Sequence, residues 1–355
     1  MKIKKLILAS ALTLSVGLIS ACDEENTSTT TKVSYDDTEI RNEFLADANE
    51  VVINEKTVTF TDASGREEIT INKNPKKVMN LYSSFTTLWY EAGGEVDYCI
   101  GGKSAIDLYK EYIGRDITKD EGVTVCASSG AGSKWSTEKL INYQPDLIIC
   151  STSMSGYSTI SSPASAAEIP VIAVSYNDFS DYLKWFKVFS AITGHEDLYE
   201  SVALNALNEV LDVIEECSYL EGPEVLSLFS GASSFSVNTE YTLVGSMIEI
   251  LGGKNVASSW SNPTKTERLE INLETIYNAN PAMILIQCHS DDKTVSDALK
   301  TLYGSNAVWN SIDAVKNEKI YFLTKTLYHN KPNSKFALAY QNLAKVLYPE
   351  HNFNF

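Results

Sequence analysis

The sequence predicts an α/β protein of two lobes, each built on a mainly parallel sheet, joined by one long rigid α-helix, with a ligand cleft between the lobes. Three observations carry this. Short apolar runs alternate with amphipathic helical stretches, the pattern of strands covered on both faces. The alternation is interrupted once, by a long helical stretch at 196–218, and then resumes. Pieces of the first half also recur, in the same order, in the second half.

In chain order, residues 1–21 read as a secretory signal. Lys2, Lys4 and Lys5 open it, an apolar run over 6–19 is too short to span a bilayer comfortably, and Ser20 and Ala21 precede Cys22. Ile19-Ser20-Ala21-Cys22 resembles the lipobox of bacterial lipoproteins, which implies cleavage before Cys22 and a diacylglycerol on its sulfur. Two or more acyl chains hold a protein at a membrane where one does not. The expectation is an extracytoplasmic protein, lipid-anchored to the cell membrane. Residues 22–50 would be the lipidated cysteine and a flexible tether, polar and Thr-rich.

Residues 51–195 are then the first lobe. It opens on a β-hairpin, with alternation from Thr57, a turn at Ala63-Ser64-Gly65 and a return to Ile71. Buried strands follow at 78–81, 98–100, 147–150 and 171–174. The linker helix, 196–218, carries Ala203, Leu207, Val210, Leu211, Ile214 and Cys217 at helical spacing, with Gly194 before it and Gly222-Pro223 after it. At ~1.5 Å per residue it is about 30 Å long. The second lobe, 219–355, has strands at 225–228, 283–286 and 320–323, and a final packing helix with Phe336, Ala339, Tyr340, Leu343 and Leu347 on one face.

The internal echo is specific. Glu138, Leu140, Asn142 and Pro145 lead into one strand; Glu274, Ile276, Asn278 and Pro281 lead into another at the same spacing. The lobe openings, VMNLYSS and VLSLFSG, match as well, and Gly93-Gly94 and Gly252-Gly253 follow at similar places.

The formal charge of −17 disfavours nucleic acid and anionic membrane surfaces as partners, leaving the lipid as the membrane contact. Cys99, Cys126, Cys150, Cys217 and Cys288 lack metal-type spacing and read as buried free thiols. In parallel sheets, ligands bind beyond the carboxyl ends of the strands. Those positions hold Tyr82, Ser83, Lys103, Met154, Tyr157, Tyr176, Phe235, His289, Tyr328 and His329. Neighbouring loops add Trp135, Lys134, Trp260, Lys265 and Arg268. Aromatic walls with hydroxyls suit a bulky, partly apolar ligand; taken singly, each of these residues is equally at home in an ordinary polar loop.

Several strings together carry a family resemblance: NPKKVMNLYSSFTTLWYEAGG, STEKLINYQPDLIICSTS, IPVIAV and IYFLTKTLYHNKPNSKFALAYQNLAKVLYP. In their order and spacing, from about Val58 to Pro349, the chain resembles the substrate-binding lipoproteins of ABC importers that capture ferric siderophores, haem or cobalamin. One departure is Ala282, where that class often carries Asp after Pro. The resemblance implies capture of a small-molecule metal complex as cargo, no cofactor of the protein's own, and no enzymatic activity. It implies a monomer that works with a permease dimer and a cytoplasmic ATPase. It also implies that Glu138 and Glu274, one on each lobe, dock onto the permease; the plainer account is two acids favoured at helix N-termini.

The cargo stays open between siderophore and haem, with cobalamin as the alternative. Haem would take an axial donor from Met154, Tyr157, Tyr176, His289 or His329. An anionic siderophore would use Lys103, Lys134, Lys265 or Arg268. Bare Zn²⁺ or Mn²⁺ wants converging His and carboxylates, and His195, His289, His329 and His351 are scattered. A cell-surface hydrolase or a ligand-sensing lipoprotein are the competing classes; neither a Gly-x-Ser-x-Gly nor a His-Glu-x-x-His pattern is present.

Overall fold

A computed structural model describes residues 37–130, 135–231 and 234–355. The signal segment, Cys22 and Lys134 lie outside the described residues. Among the described residues, no helix is long and apolar enough to cross a membrane. The chain divides into two compact units: Phe44–Asn208 with Thr324–Ala337, and Glu209–Leu323 with Leu338–Phe355 and the described residues 37–43.

The first helix, α1 (Asp37–Asn49), corrects the expected tether, nearly half of which it covers. Ile40, Phe44 and Ala48 recur every fourth residue and are 4%, 1% and 0% exposed. Phe44 meets Phe179 edge-on at 5.2 Å, and Lys187 Nζ donates to the Ala48 carbonyl at 2.9 Å. The stripe is only one residue wide, so polar composition masked it.

The predicted hairpin is present. β1 (Val52–Ile53), β2 (Thr57–Phe60) and β3 (Ile69–Asn72) form an antiparallel sheet, with Thr57 opposite Asn72 and Phe60 opposite Ile69. The first unit then runs β4 (Val78–Asn80), α2 (Ser83–Glu91), β5 (Tyr98–Ile100), α3 (Lys103–Tyr112), β6 (Thr124–Ala127), α4 (Thr137–Asn142), β7 (Leu147–Ser151), α5 (Gly156–Ala166), β8 (Val171–Val174) and α6 (Phe179–Thr193). The sheet is parallel, in the order β6-β5-β4-β7-β8. The chain fills one side from β4 and the other from β7, so the topological switch point lies between them. The edge strand β6 was not expected; it is exposed at Thr124 and Val125 and only partly covered at Cys126 and Ala127.

The linker is helical as expected, but not uniform. A wide π-type turn over Tyr199–Leu204 leads into α7 (Asn205–Ser218), and the boundary between the units falls between Asn208 and Glu209. Its apolar stripe is buried from Ala203 to Cys217.

The second unit runs β9 (Glu224–Ser230), β10 (Phe235–Asn238), α8 (Leu243–Ile250), β11 (Lys254–Asn255), β12 (Arg268–Glu270), α9 (Leu273–Ala279), β13 (Met283–Cys288), α10 (Asp292–Tyr303), α11 (Asp313–Lys316) and β14 (Ile320–Leu323). The order is β12-β10-β9-β13-β14, with β11 beside the start of β9. β9, β13 and β14 are parallel, whereas β10 and β12 are antiparallel additions. This sheet is therefore mixed. Leu226, Leu228, Val237, Ile284 and Ile286 make its apolar core face.

After β14 the chain does not stay with the second lobe, as 219–355 implied. Thr324–Ala337 belongs to the first unit. Asn333, at φ 50° and 0% exposed, anchors it by donating to the Ser84 carbonyl at 3.2 Å and Thr87 Oγ1 at 2.9 Å. Ser334 donates to Glu91 from its hydroxyl at 2.7 Å, and Lys335 pairs with Glu111. α12 (Phe336–Leu347) closes the fold.

The internal echo holds in three dimensions. Gly93 and Gly252 both adopt φ 84°, the left-handed region where a Cβ is strained. Gln144 and Asn280, each six residues past the repeated glutamate and just before the repeated proline, take φ 51° and 41°.

Candidate ligand-binding surfaces

The carboxyl edge of the first unit's sheet gathers several expected residues. Tyr82 follows β4, where the buried Asn80 side chain accepts its backbone N–H at 3.2 Å, and its ring leans on Phe85 at 4.6 Å. Ser83 opens α2, half-buried, and Lys103 opens α3, exposed. Trp135 lies against the start of α5. Its indole N–H donates to the Ser129 carbonyl at 2.8 Å, and a Cβ on Gly156 would stand 2.3 Å from the ring. That close approach explains the glycine. Met154 and Tyr157 flank it, both half-buried.

Two expected residues are placed differently. Tyr176 is 2% exposed, its ring between Phe85 and Phe336 and its hydroxyl 3.3 Å from Asn333 Oδ1. Burial raises its phenol well above the usual value. It packs the core and is withdrawn from any ligand by apolar rings. Tyr328 and His329 fall in Thr324–Ala337, so they belong to the first unit rather than the second. Tyr328 is 3% exposed, and His329 is half-buried.

In the second unit, Phe235 is 8% exposed and joins the apolar core, edge-on to Tyr303 at 6.2 Å. Trp260 packs against the same core. His289 follows β13 and is half-buried; Lys265 is exposed at φ 53°. Arg268, on β12, stacks over Phe229, its guanidinium carbon 4.0 Å from the ring centroid, and donates from Nε to Asn238 Oδ1 at 3.3 Å. Burial draws its pKa down and Glu267 opposes this; the group keeps its charge.

Sequence reasoning missed Ser227, Asn238 and Gln287, which form a buried hydrogen-bonded set beneath Arg268. Their signal was present, since Ser227 and Gln287 each interrupt an otherwise apolar strand.

Glu138 and Glu274 are exposed in the first turns of α4 and α9, and neither pairs with a cation among the described residues. The thiols are unpaired as disulfides. Burial pushes Cys99 up to about 11 and Cys126, Cys150, Cys217 and Cys288 up to about 12, far from a reactive thiolate. Among the described residues, no group of three or more His, Cys, Asp or Glu could hold a metal ion. Open hollows of 520 and 760 Å³ lie near Asp97 and Asp146, at the amino ends of the first unit's strands, away from the edge where parallel sheets take ligands.

Known proteins share this architecture. The uncharacterized ABC transporter substrate-binding lipoprotein YvrC of Bacillus subtilis is 24% identical over 298 residues, 82% of this chain and 86% of that protein. The high-affinity heme uptake system protein IsdE of Staphylococcus aureus is 27% identical over 146 residues, 41% of this chain and about half, 49%, of IsdE. The structure of IsdE complexed with heme superposes with a TM-score of 0.63 at 16% identity, covering 77% of this chain and 98% of IsdE. The periplasmic catecholate-siderophore binding protein VctP of Vibrio cholerae gives 0.61 at 13% identity, covering 83% and 100%. Both structures show a common fold. The periplasmic binding protein family model matches residues 82–327, from the first carboxyl-edge tyrosine through both sheets, and the chain belongs to that family.

Proposed function

We propose that the protein is the extracytoplasmic substrate-binding component of an ABC transporter that captures an iron complex, a ferric siderophore or haem, and delivers it to a membrane permease. The observation that carries this is the carboxyl edge of the first unit's parallel sheet, which gathers Tyr82, Lys103, Trp135 and Tyr157, in a chain of the periplasmic binding protein family. Members of this family bind solutes and are not enzymes. The relatives support the cargo class, since IsdE takes heme and VctP a catecholate siderophore. ATP is consumed by the partner ATPase. Cys22 carries the lipid that keeps the protein at the membrane. Glu138 and Glu274 dock on the permease.

For haem, Met154, Tyr157, His289 and His329 are the axial donors to test, because Tyr176 is sealed in the core. Cobalamin is the second reading, favoured by the half-buried Tyr82 and Trp135 on one edge, which offer aromatic walls without charge.

The experiment is a ligand panel on the soluble form beginning after Cys22. Haemin, cobalamin and several ferric siderophores are titrated, following tryptophan fluorescence and the visible spectrum. Saturable one-to-one binding of one iron complex is expected. Binding of cobalamin alone would replace the cargo. Binding of none would remove the cargo class and return the sensor and hydrolase alternatives.

A further inference from the structure

The helix α1 lies outside residues 82–327, the stretch that the family model matches. A polar leash needs no buried face, yet Ile40, Phe44 and Ala48 of α1 are buried. Ordering each residue costs about 1–2 kcal/mol of backbone entropy, so a docked helix is held by what it buries.

Its contacts give α1 a direction. Phe44 lies edge-on to Phe179 at 5.2 Å. Phe179 is the first residue of α6, which starts just after β8 ends, and so stands at the carboxyl edge of the first unit's sheet. Ala48 is one turn further along α1. Its carbonyl accepts from Lys187 Nζ, two turns further along α6, at 2.9 Å. The far end of α6 is at the amino edge: the Ile192 carbonyl accepts the backbone N–H of Asn74, shortly before β4, at 2.7 Å. α1 therefore runs from the carboxyl edge toward the amino edge. β1 continues the same way. It is antiparallel to β2, which rises from Thr57, opposite Asn72, and leads to Thr61, whose hydroxyl is 3.1 Å from Lys184 Nζ.

From Phe44 back to Asp37 is about 10 Å of helix, leading away from Lys187. The chain thus enters α1 on the carboxyl-edge side of the first unit. Tyr82 and Lys103 follow β4 and β5 on that side, and Glu138 heads α4 there, after β6. Only residues 23–36 separate Cys22 from α1, a reach of at most about 50 Å when fully extended. Were α1 part of the tether, residues 23–50 would reach about 100 Å and would leave from the start of β1, beside Thr59.

We propose that α1 is an orienting strut: by fixing the exit of the lipid-bearing segment at the carboxyl edge, it turns that edge of the first unit, with Glu138, toward the membrane surface. This rests on the reading of Cys22 as lipidated. The shorter reach also raises the effective concentration of that edge at the bilayer, where the permease lies.

The test uses the lipidated full chain in phosphatidylcholine vesicles that carry an acceptor dye on some head groups. A fluorescent amino acid replaces either Lys103, exposed at the carboxyl edge, or Lys76, exposed at the amino edge. Energy transfer from position 103 should exceed that from position 76; equal or inverted transfer overturns the proposal. A long Gly-Ser insertion between Asp36 and Asp37 leaves α1 docked and should shrink the difference. A difference that survives the insertion unchanged comes from attraction of the edge to lipid and overturns the strut. Ile40→Asp with Phe44→Asp, which releases α1, should erase the difference. A structural role alone would lower the melting temperature and leave the difference in place. Should that variant not fold, the wild-type comparison and the insertion still decide. Protein that leaves the vesicles refutes the lipid at Cys22. The exit point is then decided on the chain beginning at Cys22, joined through that thiol to a maleimide phospholipid, by the same comparison with the same outcomes.

Discussion

At the residue scale, the departure at Ala282 has a physical cause. Asp146, its counterpart in the first lobe, accepts the backbone N–H groups of Lys76 and Lys77 at 2.8 and 2.9 Å. In the second lobe the position matching Lys76 is Pro223, which has no N–H to offer. The shared backbone bonds persist, Asp146 N to the Lys77 carbonyl and Ala282 N to that of Glu224. Asp146→Ala is therefore expected to cost about 1–2 kcal/mol in urea unfolding, whereas Ala282→Asp should gain nothing. Glu91 makes a second prediction. Burial pushes its carboxyl from 4.5 up to about 7, against hydrogen bonds from Ser334 and the charge of Lys335. Between those values the folded state keeps a proton that the unfolded state releases, so stability falls as pH rises from about 4.5 to about 7 and then levels. Glu91→Gln should flatten that slope in thermal melts at stepped pH. Asp181, also pushed up to about 7 by burial and by Asp178, has the same sign and leaves a residual slope. A steeper slope in the variant would contradict the assignment. Strand-end position was legible for Tyr82 and Tyr176 alike; that one ring faces Phe85 half-covered and the other is enclosed depends on Phe336, distant in sequence.

At the element scale, what the sequence disclosed followed apolar content. β4, β5, β7, β8, β9, β13 and β14 were visible because strands covered on both faces must be apolar throughout. β6, β10 and β12 were not: the edge strand β6 is exposed at Thr124 and Val125, the edge strand β12 offers Leu269 alone, and β10, though interior, is broken by Ser236 and Asn238. The π-type turn before α7 left no trace, because the apolar spacing continues through it. α1 was mistaken for a tether although it is secured by buried Phe44. Phe44→Ala should lower unfolding stability by about 3 kcal/mol or more, the range for a large buried aromatic. A deletion through residue 50 should lower the melting temperature sharply relative to one ending at residue 36. Equal melting temperatures for the two truncations would refute a structural role for α1.

At the scale of the whole molecule, the pseudo-repeat gives the docking proposal its form. Glu138 and Glu274 head α4 and α9, and in each case a buried aliphatic two residues on, Leu140 at 1% and Ile276 at 0% exposed, seats the helix. Exposed ion pairs contribute only about 0–1 kcal/mol each, which suits a contact that must also release. Reversing both to lysine should leave cargo affinity unchanged and abolish uptake in cells; normal uptake by the double variant would end the assignment.

The return of Thr324–Ala337 to the first unit has a consequence for how the protein is made. Asn333 bonds to Ser84, 249 positions earlier in the chain, and its side chain fills a wholly buried place. A ribosome that has completed β8, α6 and even the linker has therefore not yet supplied all of the unit they belong to. The first unit to be synthesised is among the last to be finished, and its closure carries the loop entropy of nearly the whole second unit. During that interval the site awaiting Asn333 and Phe336 is open, and nascent chains are at their most vulnerable to misassociation.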